Sequence, residues 1–141
     1  KKGSTRNKKE GDKKTPKGTF KIENLYYRKD RMNKPETSLK CVEIKNNMGW
    51  CDDVNFPKKY NKRIKISKKI RHEKLKRKDN KYDLFIPIKY NYKKPVPGLG
   101  SCIFIHLTNN YETTAGCVAL KKKDFLILVK IIKKNSKIKI F

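Results

Sequence analysis

The sequence has few acidic residues, and this scarcity sets its overall charge. Its 141 residues include 13 Asp and Glu against 39 Lys and Arg, which gives a formal net charge of +26. Only six of the basic residues are arginine. Proteins that read phosphates and bases favour the bidentate guanidinium of arginine. The lysine bias therefore argues against specific nucleic-acid binding, while attraction to an anionic cell wall and a mere compositional bias both stay open.

The sequence also lacks long apolar runs and the cysteine spacing that is typical of metal sites. No apolar run approaches the ~18 residues that a membrane span needs, and the first 19 residues are too polar for a signal peptide. The four cysteines show no C-x-x-C spacing, which argues against a zinc site. A disulfide between Cys41 and Cys51 stays open, because spacing does not reveal pairing. We interpret Cys51 and Cys102 as small buried apolar residues.

The length predicts one domain over residues 1–141, with residues 1–14 as a polar lead-in that is mobile at its beginning. Alternating apolar and β-branched residues predict six strands, at 19–27, 39–44, 50–54, 82–90, 101–107 and 136–141. Pro87 suggests that its strand lies at a sheet edge or carries a bulge. The strongly basic stretch 56–81 is expected to be an exposed loop with a short helix.

One helix is predicted near the end of the chain, over residues 122–132. Phe125, Leu128, Val129 and Ile132 follow the i, i+3, i+4, i+7 spacing of an apolar helix face. Asp124 would lie in the first turn, where the helix dipole favours an acid. Many short strands and one helix therefore indicate a mainly β domain.

The strongest chemical signal is a histidine followed closely by a cysteine. His106 lies near the end of an apolar strand, and Cys117 comes eleven residues later, directly after Gly116. A thiol is a strong nucleophile only as thiolate, and an imidazole within reach can take its proton and return it later. The glycine lets backbone and substrate approach closely. From this pattern alone, a catalytic nucleophile and a buried structural thiol are both open.

Several motifs in register give the chain a resemblance to a known family. They are Gly-Asp-x-x-Thr-Pro-x-Gly-x-Phe at 11–20, Trp-x-Asp-Asp at 50–53, His-Glu-x-Leu at 72–75, Pro-x-Pro-Gly-x-Gly-Ser at 95–101, Ile-Phe-Ile-His at 103–106 and Thr-Ala-Gly-Cys-Val-Ala-Leu at 114–120. Together they resemble the L,D-transpeptidase catalytic domain family, whose members cross-link bacterial peptidoglycan. The resemblance implies a β-sandwich or pseudo-barrel with one capping helix on the C-terminal side.

The resemblance also implies roles for the site residues. Cys117 would be the nucleophile and His106 its base, oriented by a backbone carbonyl, while Gly116 and the Cys117 N–H would form the oxyanion hole. Thr114, Ser101 and Asn91 would form the substrate-binding set, with Thr114 more suited to holding its loop. His72 is expected to be a surface or loop-packing residue.

Other polar residues and two departures complete the expected site. Asp52, Asp53, Tyr60 and Asn61 are expected to be structural, with the Asp side chains closing a loop. Ala115 stands where many family members have His, and Ala119 where many have Arg or Asn. An arginine there could bind a substrate carboxylate, so that role is expected to fall to another residue, such as a lysine.

The implied reaction is thioester-mediated transfer of a peptidoglycan stem peptide, giving a 3→3 cross-link, with no metal or organic cofactor. Water as acceptor would instead make an L,D-carboxypeptidase. A basic polyanion-binding module and a catalytically silent wall-binding relative are the non-enzymatic alternatives. We expect donor and acceptor stem peptides as partners, no specific nucleic acid, a monomer, and location in the periplasm or cell envelope.

Overall fold

The fold is described by a computed structural model that covers residues 2–141. It consists of short strands and one helix, which confirms the mainly β prediction. In chain order the elements are β1 (Ser4–Thr5), β2 (Thr15–Pro16), β3 (Gly18–Lys21), β4 (Leu25–Tyr27), β5 (Cys41–Glu43), β6 (Met48–Cys51), β7 (Arg63–Lys65), β8 (His72–Lys74), β9 (Leu84–Pro87), β10 (Phe104–Leu107), β11 (Val118–Leu120), α1 (Lys122–Ile131) and β12 (Lys137–Ile140).

A five-stranded mixed sheet forms the centre of the molecule, in the order β11-β10-β9-β4-β5. Strands β9 and β10 are antiparallel, and every residue of both is buried. Strand β10 then pairs with β11 in parallel, which needs a crossover between them. Because the central strands are covered on both faces, they are apolar almost throughout. None of the sheets closes into a barrel across residues 2–141, so the sandwich description applies.

The two faces of the central sheet carry separate apolar clusters, as period-2 alternation requires. One face holds the branched aliphatic residues of β9 and β10 and packs against α1 through Phe125 and Val129, both fully buried. The other face is aromatic, with Phe85 and Phe104 against Trp50. The predicted alternation along 101–107 and the predicted helix are both confirmed.

The basic stretch 56–81 differs from its prediction. It contains no helix; instead β7 and β8 both pair with β6 in an antiparallel three-stranded sheet. Ile70 and Leu75 are buried, so the stretch contributes to the core. Most of its lysines stay exposed, and the strands form through pairing with β6 rather than through a local pattern.

Two further strand predictions need correction. Residues 19–27 form two strands, because β3 leaves the central sheet and pairs with β12. Pro87 is the last residue of β9, which lies in the centre of the sheet and not at its edge. Pro87 is still paired with Phe104 of β10. The alternation along 82–88 also predicts Tyr82 on the same face as Leu84, but Tyr82 packs with the aromatic cluster whereas Leu84 belongs to the aliphatic one.

The lead-in and the cysteines also have defined places. From Ser4 onward the lead-in packs on the domain: β1 pairs with β2, and Lys8 is buried with its ammonium bound to Asp12.

All four cysteines are free, so the disulfide between Cys41 and Cys51 that the sequence left open does not form. Cys51 is fully buried, as interpreted from the sequence, whereas Cys102 is only partly buried and packs against the aromatic cluster.

Candidate active site

Cys117 lies immediately before β11, against the beginning of β10. The parallel register pairs Ile105 with Val118, so continuing it by one residue places Cys117 beside Phe104. The Phe104 N–H donates to the Cys117 sulfur at 3.4 Å, and the thiol donates to the Cys102 carbonyl at 3.2 Å. Two backbone groups of the neighbouring strand therefore hold the sulfur.

This location keeps the resting thiol protonated. Burial raises the pKa of Cys117 to about 11, and the hydrogen bond from the Phe104 N–H only partly opposes the shift. A low-dielectric surrounding disfavours the thiolate, and one N–H donor does not compensate for lost hydration. At neutral pH Cys117 is therefore a thiol, which would need a base to act as a nucleophile.

His106 occupies the same strand, two residues beyond Phe104. Successive side chains alternate across a strand, so His106 and Phe104 share a face, about 6.6 Å apart along the chain. The imidazole is 6% exposed, and its Nδ1 lies 2.8 Å from the Leu107 carbonyl oxygen. Because a carbonyl only accepts, Nδ1 carries the hydrogen and Nε2 is the basic nitrogen. The expected orientation by a backbone carbonyl is thus present.

Burial also keeps this imidazole neutral. Burial has the largest effect and lowers the pKa of His106; the hydrogen bond to the Leu107 carbonyl has the next largest effect and raises it, and the positive charges of Lys81 and Arg77 lower it again. The ring packs edge-to-face on Tyr82 with centroids 5.6 Å apart. The resting site therefore combines a neutral thiol with a neutral imidazole.

Both residues open into one cavity of about 280 Å³, which we call the histidine cavity. Its other lining residues are Glu73, Arg77, Lys81, Tyr82, Leu107, Thr108, Glu112, Thr113, Thr114 and Ala115. Cys117 also lines a second cavity of about 360 Å³, which we call the strand cavity. It is bounded by Ser4, Thr15, Tyr111, Glu112, Thr113, Thr114, Val118, Ala119, Ile140 and Phe141. The sulfur thus lies where two openings meet.

The turn before the cysteine requires glycine. Gly116 has φ +121°, and a Cβ added there would lie 2.5 Å from the Lys14 carbonyl oxygen. Thr114 fixes the same turn, because its hydroxyl donates to the Cys117 carbonyl at 2.7 Å and accepts from the Gly116 N–H at 3.4 Å. Thr114 therefore holds its loop, as favoured from the sequence.

The chain was compared with models of known protein families, with curated proteins and with solved structures. Residues 2–140 match the family model YkuD, described as the L,D-transpeptidase catalytic domain. The chain belongs to the L,D-transpeptidase catalytic domain family. A search of curated proteins found no match to it, and neither did a search of solved structures.

Two residues expected to bind substrate in this L,D-transpeptidase domain make internal hydrogen bonds instead. The Ser101 hydroxyl donates to a Glu10 carboxylate oxygen at 2.7 Å. The Asn91 amide donates to the carbonyls of Val96 and Gly100. Neither residue lines the histidine cavity or the strand cavity. Their contacts brace the loop that leads into β10.

The family motifs around residues 50–61 are structural, as expected. Asn61 accepts from the Trp50 indole N–H at 2.9 Å and from the Cys102 backbone N–H at 3.2 Å. The Asp53 carboxylate accepts from the backbone N–H of Arg71 and closes its loop. His72 packs against Gly49, with its Nδ1 2.7 Å from the Ile70 carbonyl. These residues hold their own loops, and Asn61 also holds the backbone of the segment that leads into β10.

Sequence reasoning missed four charged residues of the histidine cavity: Glu73, Arg77, Lys81 and Glu112. Charged residues are common in this chain, so residue type alone could not distinguish these four from the others. The one available signal was the His-Glu-x-Leu motif at 72–75, which contains Glu73.

Two searches of the described residues gave no positive result. Over residues 2–141, no three or more His, Cys, Asp or Glu side chains are grouped so that they could hold a metal ion. No helix in that part of the chain has the length and apolar character to cross a membrane.

Proposed function

We propose that the chain is an L,D-transpeptidase that transfers peptidoglycan stem peptides through a thioester on Cys117. The observation that carries the proposal is that Cys117 and His106 open into one cavity in a domain of this family. The His106 tautomer, fixed by the Leu107 carbonyl, directs the basic Nε2 away from the backbone. Such a substrate places the enzyme in the periplasm or cell envelope.

The reaction begins with a proton transfer between two neutral groups. The thiol turns from the Cys102 carbonyl towards His106 and gives its proton to Nε2 as sulfur attacks the carbonyl carbon. The attacked peptide bond follows the L-centre of the diaminopimelate residue in a donor tetrapeptide. The C–N bond breaks, His106 returns the proton to the departing D-alanine amine, and a thioester remains on Cys117.

The second half transfers the acyl group. A side-chain amine of another stem peptide attacks the thioester and gives a proton to His106. The C–S bond breaks, and the thiol regains that proton. In both halves the tetrahedral oxyanion needs N–H donors, and those of Gly116 and Cys117 are the candidates. The Gly116 N–H makes only a long contact with Thr114 at rest, so a stronger acceptor can take it.

The two cavities support transpeptidation over hydrolysis. Only the histidine cavity contains cations, Arg77 and Lys81, which suit a donor peptide with carboxylates. The residues lining the strand cavity include one charged side chain, Glu112, which suits an incoming amine. A second opening at the sulfur gives an acceptor peptide its own approach, which a carboxypeptidase does not require.

Intact-mass spectrometry with a carbapenem tests the nucleophile. The Cys117 thiol adds across the β-lactam amide: an S–C bond forms, the C–N bond breaks and the ring nitrogen takes the proton. We expect a single adduct with the full mass of the carbapenem. Cys117→Ala should lose the adduct, whereas the control Cys41→Ala, which removes another partly exposed free thiol, should keep it.

Muropeptide products then identify the acceptor. Incubating the wild type with disaccharide tetrapeptides should release D-alanine and give dimers with a 3→3 linkage. Tripeptide without dimers would mean that water is the acceptor and the enzyme is a carboxypeptidase. Absence of both the carbapenem adduct and D-alanine release in a folded protein would refute the proposed chemistry.

A further inference from the structure

The histidine cavity contains two cations, and one of them, Arg77, is paired with two carboxylates of the protein. The Arg77 guanidinium donates to Glu73 at 2.7 Å and to both carboxylate oxygens of Asp79, at 2.9 and 2.7 Å. Its Cζ lies 5.2 Å from the centre of the Tyr82 ring. These contacts use three of the five guanidinium N–H donors and pair its charge with two carboxylates, so Arg77 braces the cavity wall and already has strong anionic partners.

Lys81 is held by its backbone but not by its side chain. The Leu107 N–H donates to the Lys81 carbonyl at 3.0 Å, which ties Lys81 to the residue that follows His106. The Lys81 N–H in turn donates to Asp79 at 3.2 Å. The Cα position beside the imidazole is therefore fixed, while the four-carbon side chain extends from it into the cavity.

The side-chain partner of Lys81 is weakly bound. Its ammonium lies 3.6 Å from a Glu112 carboxylate oxygen, beyond the usual range of a charge-assisted hydrogen bond. The two side chains are 42% and 67% exposed, and exposed pairs of this kind contribute little. Within the described residues, no other carboxylate lies within the ion-pair distance of Lys81. A stronger anionic ligand can therefore exchange with Glu112.

The charge of Lys81 also acts on the catalytic base, since it is one of the charges that lower the pKa of His106. Lys81 also lines the same cavity as His106 and Cys117, and its carbonyl accepts from the N–H of the residue after His106, so its side chain can reach a group next to the reacting bond. In the proposed reaction the leaving group is a terminal D-amino acid, so the substrate has a carboxylate one residue beyond the attacked carbonyl. Ala119 offers no cation for it.

We propose that Lys81 binds the terminal carboxylate of the donor stem peptide, which displaces Glu112 from the ammonium. This assignment rests on the proposed function and names the specificity-determining residue for it. It explains how the site selects a peptide with a single terminal residue after the attacked bond: a longer donor would move its carboxylate away from Lys81.

Paired substrates test the assignment. Donor tetrapeptides are compared with a free C-terminal carboxylate and with a C-terminal carboxamide, using wild type, Lys81→Met, Lys81→Arg and the remote control Lys134→Met. A hydrogen bond between charged partners implies that Lys81→Met raises KM for the acid about 10- to 100-fold, with a smaller change in kcat. The carboxamide should be turned over equally by wild type and Lys81→Met, and Lys81→Arg should restore most of the loss.

Glu112→Gln gives an independent readout, because it removes the competing carboxylate. In single-turnover acylation, which needs no acceptor amine, we expect tighter binding of the acid peptide and no change for the carboxamide. If Lys81→Met slows acid and carboxamide equally, or changes neither, while the wild type is active, the assignment is overturned and the proposed function stands. If the folded wild type turns over neither peptide and forms no carbapenem adduct, the proposed function fails and the assignment fails with it.

Discussion

Replacing Gly116 by alanine tests whether the turn before Cys117 sets the position of the sulfur. The new methyl group would lie 2.5 Å from the Lys14 carbonyl oxygen, about 0.9 Å closer than ordinary van der Waals contact. Lys14 directly precedes β2, whose two residues are buried and paired with β1. The Lys14 carbonyl is therefore held in place by the strand that follows it. The turn at Gly116 must move instead to relieve the overlap.

Two terms set the size of the expected effect. A side chain at φ +121° costs about 1–2 kcal/mol of backbone strain, and forcing an atom into occupied space costs about 1–3 kcal/mol. Together these give a loss of about 2–5 kcal/mol in the free energy of unfolding. With about 2.1 cal/mol/K of unfolding entropy per residue, Tm falls by about 7–17 °C. A shift of the sulfur by about 1 Å would slow acylation about 100-fold.

Thermal unfolding and the rate of carbapenem acylation measure the two effects, with acylation followed well below the Tm of the variant. Gly11→Ala is the matched control, because Gly11 also has positive φ, +73°, but an added Cβ there meets no atom within 4 Å. It should lose about 1–2 kcal/mol and acylate normally. Gly116→Ala with wild-type stability and acylation rate would refute the reasoning, and equal stability losses in both variants would exclude the Lys14 contact as the cause.

Two further predictions concern the proton transfer. His106→Ala should slow acylation by at least about 100-fold, whereas His72→Ala should leave the rate near that of the wild type; equal effects would mean that the base is assigned wrongly. The pH dependence of acylation should rise through a pKa below about 6.5, because the imidazole must be neutral to act, and then stay flat between about pH 7 and 9, since the Cys117 thiol has a pKa of about 11. A rate that falls across that interval, as expected for a preformed thiolate–imidazolium pair, would contradict two neutral partners.

The sequence predicted the elements whose patterns are local. Helix α1 follows from the spacing of Phe125 and Val129, and β10 follows from its alternating residues, because both patterns describe burial on a face. Strands β7 and β8 were missed, since their residues are mostly polar and their paired positions on β6 lie 13–17 residues from those of β7 and 21–25 residues from those of β8. Such strands are stabilised by pairing and by a few anchors such as Leu75, which a short window does not reveal.

The residues of the candidate site also fall into those with a local sequence signal and those without one. His106 lies on β10, and Cys117, eleven residues later, lies immediately before the neighbouring strand β11, so motif and spacing were enough to select both residues. The backbone groups that hold the sulfur belong to Phe104 and Cys102, and a backbone N–H or carbonyl has no sequence signature. Lys81 is one of many lysines, and only the pairing of its backbone with Leu107 brings it to the base.

Charge near the sulfur is distributed differently from charge over the whole chain. A net charge of +26 would draw any anion to the surface, yet the strand cavity has no cation among its lining residues, and the histidine cavity has two cations and two acids. Glu112 lines both cavities and is the resting partner of Lys81. Under the proposed assignment, a donor carboxylate on Lys81 would leave Glu112 without its resting partner and able to attract the ammonium of an acceptor. The position of one acid between two openings, rather than the net charge of the chain, would then favour binding of the donor before the acceptor.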